Sequence, residues 1–509
     1  MLAKIFSGAN IGLDSIPITV EVDVSATGLP SFIIVGLADR AVEESKERVR
    51  SAIKNCGAEF PDHKITINLA PANLPKEGPI FDLPIALGLL LASGQIPQKQ
   101  YLDLNDTLVV GELALDGQLR RTNGILPQAL LTKKLNFKNM IVPKDNGGEA
   151  SIVDDIKIFA PATLQEVMEV LIGQKELKKV KKTTINLEEE IDYEYDFAQI
   201  KGQEQAKRAL EIAAAGGHNV LLKGPPGAGK TLLARSFSSI LPPFSLQEAL
   251  EVTKIYSIAG LLQNGQALIT QRPFRSPHHS ASHIGLLGGG NSIRPGEISL
   301  SHRGILFLDE LPEFPRQVLE ALRQPLEDHK ITISRASGSL TFPAQFTLLA
   351  AQNPCPCGFL GDRRRNCSCM PGQIAKYKRR ISGPLLDRID IYLEVPAVEV
   401  DKLAQTTAAE NSKNIRDRVI KARKIQIGRF KGKILSNSEM TNQDIKQFCA
   451  VTADGLELLK MAISSLNLSA RGYHRVLKVS RTIADLAHSE NILTEHIAEA
   501  LQYRSREEL

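Results

Sequence analysis

The chain has 509 residues and a formal charge of only +5. No global field draws it to nucleic acid or membrane, so any such contact must come from a local patch. Its 43% hydrophobic and 23% charged content is that of an ordinary globular protein, and its length exceeds what one core fills, implying about three domains. No charged-then-apolar leader opens the sequence, and the apolar run at 83–92 is too short to span a bilayer. Four of the six cysteines crowd between Cys355 and Cys369. The expectation is a cytoplasmic protein without membrane contact, with a metal site rather than disulfides.

Residues 1–172 read as one α/β domain. Residues 18–24 alternate like a half-buried strand, and 31–35, 64–69, 107–110 and 140–142 are further strands. Between them 39–54 reads as an amphipathic helix with Val42, Val49 and Ile53 near one face, and 83–91 as a buried helix. Residues 173–190 hold Lys175, Lys178, Lys179, Lys181 and Lys182 ahead of Glu188, Glu189 and Glu190. Charge blocks of this kind read as a solvated linker.

Residues 191–398 carry the strongest signal. Gly224, Pro225, Pro226, Gly227, Ala228, Gly229, Lys230 and Thr231 match the phosphate-binding loop pattern G-x-x-x-x-G-K-[ST]. An apolar strand precedes it at 219–223 and a helix follows from 232, which is the context the pattern requires. The two inner glycines let successive N–H groups face a phosphate. Lys230 is placed for the terminal phosphates and Thr231 for magnesium. The alternative, a glycine turn before an ordinary helix, loses ground to a second motif. The buried-strand run 305–308 ends in Asp309 and Glu310, the Walker B arrangement. Asp309 would hold the magnesium, and Glu310 would orient and deprotonate the attacking water. ATP binding and hydrolysis are therefore expected.

Further on, 330–335 can form a hairpin with 340–342, and 346–351 reads as a buried strand with Asn353 at its end. Cys355, Cys357, Cys367 and Cys369 form two Cys-x-Cys pairs, an insert at 355–369 that can supply four soft ligands to a structural zinc ion. The commoner zinc spacing has two residues between ligands, and free thiols or a labile disulfide are the alternatives. Arg363, Arg364 and Arg365 lie inside this loop, and Lys376, Lys378, Arg379 and Arg380 follow. Such a cluster suits phosphate contacts to DNA, or else a solvated loop or a subunit contact. His278 and His279 are assigned no metal; lining a channel and an ordinary loop role both stay open. Residues 399–509 read as helices at 411–427, 441–449, 453–466, 469–488 and 494–501, with Thr441 and Ser469 as N-caps.

Two regions resemble known families. The segments 75–79, 111–117 and 142–144 resemble the Lon-protease domain, which implies a ribosomal-protein-like β-α fold. Lon proteases cleave with a serine and a lysine, and here those positions hold Ile80 and Leu126, so the resemblance implies the fold without the protease activity. The segments 295–300, 306–311 and 384–390 resemble magnesium-chelatase-type AAA+ proteins, which share a clade with MCM helicases. With the Lon-like domain and the cysteine insert, the whole chain resembles the ComM/YifB family of bacterial competence-related proteins.

The resemblance implies an AAA+ core with a parallel sheet at 191–398 and a C-terminal helical lid at 399–509. It assigns Asn353 to sensor 1, Arg388 to the arginine finger, and Arg471 to sensor 2 with Arg475 as runner-up; the alternative for each arginine is a surface salt bridge. It implies a hexameric, ATP- and magnesium-dependent motor acting on single-stranded or branched DNA, a branch-migration helicase in natural transformation. The alternatives are the motor subunit of a metal-chelatase-like complex, an ATP-dependent protein remodeller or unfoldase, and a nucleotide-switched scaffold.

Overall fold

The computed structural model describes residues 2–25, 27–97, 102–176, 178–182, 187, 193–290, 293–335, 338–362, 365–397, 409–465 and 468–504. The chain forms two compact units, Met1–Leu187 with Ser245–Thr270, and Glu188–Phe244 with Gln271–Leu509.

The first unit is built on a seven-stranded mixed sheet. Its strands are β1 (Leu2–Ile11), β2 (Asp14–Ser25), β3 (Ser31–Val35), β4 (Lys64–Ala70), β5 (Thr107–Val109), β6 (Asn139–Ile141) and β7 (Lys157–Phe159), in the order β3-β4-β2-β1-β5-β6-β7. The β1–β2 and β2–β4 pairs are antiparallel and the others parallel. Alternation along β2 buries Ile18, Val20 and Val22 against the helix Asp82–Ala92, whose every residue is buried. That helix has no polar face because it is covered on all sides. Strands β1 and β7 were not among the expected elements, and the expected helix at 39–54 is two pieces, Arg40–Glu43 and Ser45–Asn55. Ile80 and Leu126 are both buried in this unit's core.

Two findings differ from the sequence-based division. The lysine run read as a solvated connector is held to the first unit. Lys175 pairs with Glu166 at 2.9 Å and Lys182 with Asp154 at 2.6 Å. The Val180 N–H donates to the Ile158 carbonyl at 3.0 Å, and its side chain packs on the core. Apolar Val180 and the open edge of β7 are the physical reason. The acidic part of that run, 188–190, lies outside the described residues. Second, the helix Leu246–Ala259, within the stretch read as motor core, packs with the first unit and contacts the helix Ile125–Lys134. Its N-terminus is fixed by a capping box between Ser245 and Glu248. Within the unit Ser257 donates to buried Glu149, which also accepts from the Leu126 N–H at 2.8 Å.

The second unit carries a five-stranded, wholly parallel sheet. Its strands are β8 (Val220–Lys223), β9 (Phe274–Arg275), β10 (Ile305–Leu308), β13 (Thr347–Gln352) and β14 (Ile391–Glu394), in the order β9-β10-β13-β8-β14. A separate antiparallel hairpin joins β11 (Lys330–Arg335) to β12 (Gly338–Pro343), as the sequence implies. Strands β8, β10 and β13 are continuous apolar runs because helices cover both faces of a parallel sheet. The C-terminal helices Ser412–Phe430, Asn442–Phe448, Ala453–Ser465, Ala470–Leu486 and Thr494–Gln502 share one apolar core with this sheet. Asp485 sits at the centre of their polar network. It accepts from Arg429, from Arg481 Nε at 3.0 Å and from Asn437 at 2.8 Å, all buried or nearly so.

Candidate active site

The phosphate loop starts where β8 ends. The Gly224 N–H donates to the Gln352 carbonyl at 3.2 Å, and a Cβ at Gly224 would lie 2.1 Å from the Val395 carbonyl oxygen. Only a bare backbone fits between the neighbouring strand ends. Gly227 and Gly229 take left-handed φ of 76° and 83°, which a Cβ disfavours. The loop is braced from behind by Gln203, whose amide donates to the Ala228 carbonyl at 2.7 Å.

Lys230 opens the helix Lys230–Ser236 and is almost fully buried. Its ammonium is folded back into the loop. It donates to the Gly224 and Pro225 carbonyls at 2.7 and 2.9 Å and to Asn353 Oδ1 at 3.1 Å. Burial lowers its pKa, and the nearby Asp309 and Glu310 charges oppose that shift. The Thr231 hydroxyl donates to Asp309 Oδ2 at 3.0 Å. This hydroxyl–carboxylate pair at the loop's rim is the donor set a magnesium ion takes alongside phosphate oxygens. Magnesium held there would neutralise phosphate charge.

Glu310 follows Asp309 in the left-handed region, with φ 51°. For a side chain that conformation is strained, and such strain concentrates at active sites. The Glu310 N–H is tied to Asp309 Oδ1 at 2.9 Å, while the carboxylate is half exposed and 3.7 Å from His279 Nδ1. Adjacent strands β10 and β13 thus bring Asp309, Glu310 and Asn353 to the same C-terminal end of the sheet as the loop after β8.

The arginines are placed differently. Arg388 is engaged within its own unit: it pairs with Glu327 and donates to the Pro384 carbonyl at 2.9 Å. Arg471, at the start of the helix Ala470–Leu486, is exposed and 3.4 Å from Asp387. Arg475, one turn further, is largely buried, donates to the Ile389 carbonyl at 3.3 Å and lies 3.9 Å from Asp390.

Cys355, Cys357, Cys367 and Cys369 converge. All four sulfurs lie within 4.8 Å of one another, and none is in a disulfide. The sulfurs stand 3.4 Å apart for Cys355–Cys357 and 3.6 Å apart for Cys355–Cys367 and for Cys357–Cys367. Four thiolates at about 2.3 Å from one zinc would stand roughly 3.8 Å apart, so the cluster matches a single tetrahedral ion. Hydrogen bonds with the Phe359 and Ser368 backbone pull the Cys357 thiol down to about 5. Among the basic residues, Arg365 stacks over Phe359 at 5.1 Å and Arg380 pairs with Glu313 at 2.6 Å, while Lys378 and Arg379 are exposed. Arg363 and Arg364 lie outside the described residues.

Sequence reading did not single out the contact of Gln203 with the loop, His279 beside Glu310, or Tyr377 at Asn353. Tyr377 is buried and hydrogen-bonds with the Asn353 backbone, and burial, with the Glu313 charge, pushes it up to about 12. No local pattern marks these three; each acts through a tertiary contact.

Known proteins resemble this chain along its whole length. A family model described as magnesium chelatase, subunit ChlI, matches residues 196–403. Models described as subunit ChlI of Mg-chelatase and as the subunit ChlI C-terminal region match 20–146 and 409–504. Competence protein ComM of Haemophilus influenzae is 45% identical over 512 residues, covering 99% of this chain and 97% of that protein. The chain belongs to the ComM/YifB family. YifB of Escherichia coli is 44% identical over 510 residues, covering 100% of this chain and 98% of that protein. Lon protease 2 of Bacillus subtilis is 28% identical over 174 residues, 32% of this chain and 30% of that protein. Membership of this magnesium-chelatase-like AAA+ family implies ATP and magnesium as its ligands. Among the described residues no helix is long and apolar enough to cross a membrane.

Proposed function

We propose that this ComM/YifB-family member is an ATP-driven DNA motor that assembles as a hexamer in the cytoplasm and drives branch migration during recombination in natural transformation. The observation that carries the reading is the gathering of Lys230, Thr231, Asp309, Glu310 and Asn353 at the C-terminal end of one parallel sheet, in a chain that matches a competence protein along its length. Glu310 is the base for the attacking water, and Arg388, released from Glu327, reaches the γ-phosphate of a neighbouring subunit. Arg471 closes on the same phosphate from its helix, which acts as a lid. The β11–β12 hairpin faces the ring's channel. Zinc fills the four-cysteine cluster, and Arg363, Arg364, Arg365, Lys378, Arg379 and Arg380 contact DNA phosphates. The Lon-like domain, with Ile80 and Leu126 buried, serves assembly or partner contact.

A chelatase-like or remodelling motor is the second reading, favoured by the chelatase family models. The test is ATP hydrolysis with and without single-stranded, duplex and four-way-branched DNA, with Glu310→Gln as the blank. DNA stimulation that the variant abolishes supports the motor. Hydrolysis indifferent to every DNA moves the weight to the second reading. Charge reversal of Arg363, Arg364 and Arg365 to Glu should weaken DNA binding and flatten its salt dependence; unchanged binding rejects their role.

A further inference from the structure

The stretch from Gln352 to Gly358 touches the phosphate loop at three points. The Gln352 carbonyl accepts from the Gly224 N–H at the loop's start. Asn353 Oδ1 accepts from Lys230 at its end. Gly358 lies on the ring of Pro226 in its middle, where a Cβ at 358 would sit 2.5 Å from Pro226 Cδ. Between the second and third contacts stand Cys355, fully buried, and Cys357. The Gly358 N–H donates to the Cys355 carbonyl at 2.9 Å, so the first cysteine pair also sets the turn that lays Gly358 on the loop.

The other side of the cysteine cluster leads to the same place. Cys369 is followed by the helix Pro371–Lys378, which delivers Tyr377 to the Asn353 backbone. The Cys357 N–H donates toward Cys369 Sγ at 3.4 Å, tying the two halves together. Asn353 is thus gripped from both ends of one knot of four sulfurs. Within the loop from Phe359 to Met370, Arg365 stacks over Phe359 at 5.1 Å.

We propose that this knot is a positioning device for the nucleotide site: a single ion held by Cys355, Cys357, Cys367 and Cys369 fixes Asn353 and the Gly358–Pro226 contact, and its occupancy sets the affinity for ATP. The inference rests on the zinc reading given above. Three thiolate pairs at 3.4–3.6 Å are too close for ligands spread over the several irons of a cluster and too far for disulfides. Without the ion nothing holds the four sulfurs together, so the turn at Gly358 is free to open and Lys230 to lose its side-chain acceptor. The cysteines never touch nucleotide; they act through Asn353 and Gly358.

The test uses the full-length protein. Metal content is measured by mass spectrometry, and a fluorescent ATP analogue with magnesium is titrated into the purified protein, into protein stripped with a thiol reagent and chelator, and into stripped protein given Zn2+. The expected result is one zinc per chain, at least about tenfold weaker nucleotide binding on stripping (the scale of one charge-assisted hydrogen bond), and recovery with Zn2+ but not with extra magnesium. Cys369→His, which preserves a zinc ligand, should keep both zinc and affinity, whereas Cys369→Ala should lose both. Gly358→Ala guards against a trivial folding defect: it should keep its zinc yet bind nucleotide several-fold more weakly. Protein without stoichiometric zinc overturns the zinc reading and this inference with it. Stoichiometric zinc whose removal changes nucleotide affinity less than twofold, or a zinc-loaded Gly358→Ala with unchanged affinity, overturns the positioning role alone and leaves the zinc site standing.

Discussion

Replacing Gly224 by alanine would put a Cβ 2.1 Å from the Val395 carbonyl oxygen. An ordinary carbon–oxygen approach is roughly 3.3 Å, so the loop and the end of β14 must separate by about 1 Å. That oxygen is backbone, and backbone here has little freedom: the Val395 N–H donates to the Lys223 carbonyl at 2.7 Å, immediately before the glycine. Overpacking of this kind costs about 1–3 kcal/mol, and loss of the Val395 hydrogen bond adds about 1 kcal/mol. Together they come to about 2–4 kcal/mol, a drop of roughly 4–15 °C in the melting of the second unit. Gly227→Ala is the comparison. It has a left-handed φ of 76° but nothing within 4 Å of the new atom, so only the conformational term of about 1 kcal/mol applies. Calorimetry of both variants, with an ATP titration alongside, should rank Gly224→Ala as the more damaging to both stability and binding. A Gly224→Ala protein that melts and binds like the parent, or that is less affected than Gly227→Ala, would refute the reasoning.

Asn353→Ala removes a side-chain acceptor of Lys230 and should lower kcat about 10–100-fold, as for one charge-assisted hydrogen bond, in steady-state hydrolysis. Asp485→Ala strands Arg429 and Arg481 in the helical core and should destabilise the second unit by about 3–5 kcal/mol in denaturant unfolding. Glu149 is buried, and burial raises its pKa above the usual 4.5. Its contribution to stability is therefore lost as pH rises from 4.5 through the raised value. Glu149→Gln, which cannot ionise, should flatten that decline, as read from urea midpoints between pH 5 and 8. Casein added to the purified protein with ATP should remain uncleaved, because the Lon-protease resemblance puts Ile80 and Leu126, both buried, at the serine and lysine positions.

The hydrolytic strands were legible because parallel strands covered on both faces leave unbroken apolar runs, and 219–223, 305–308 and 346–351 are such runs. The C-terminal helices were legible from their caps, with Thr441 and Ser469 bonding the amides expected of them. Strand β1 was not, because Ser7, Gly8 and Asn10 interrupt its apolar pattern; ten residues of pairing with β2 override that weak local preference. The four residues of β14 are too few to show a period. At the site, Lys230, Thr231 and Asp309 announce themselves by motif, and Asn353 by the family resemblance. The Gly358–Pro226 contact, the Arg388–Glu327 pair and His279 beside Glu310 depend on approaches between distant segments, and no spacing in the chain encodes them.

The helix Leu246–Ala259 has a consequence for how the protein is made. A chain emerging from the ribosome releases the whole phosphate-binding loop before it has supplied the last piece of the first unit. Glu149 is synthesised 108 residues ahead of Ser257, the partner that donates to it in the finished core. The first unit therefore stays incomplete through the synthesis of Lys230 and its helix, and closes only once residue 270 is out. The same threading governs dissection in the laboratory. Stopping the chain at Leu187 would yield a fragment whose Ile125–Lys134 helix lacks its covering neighbour, and starting it at Glu188 would leave that neighbour's capped, half-apolar helix without a partner.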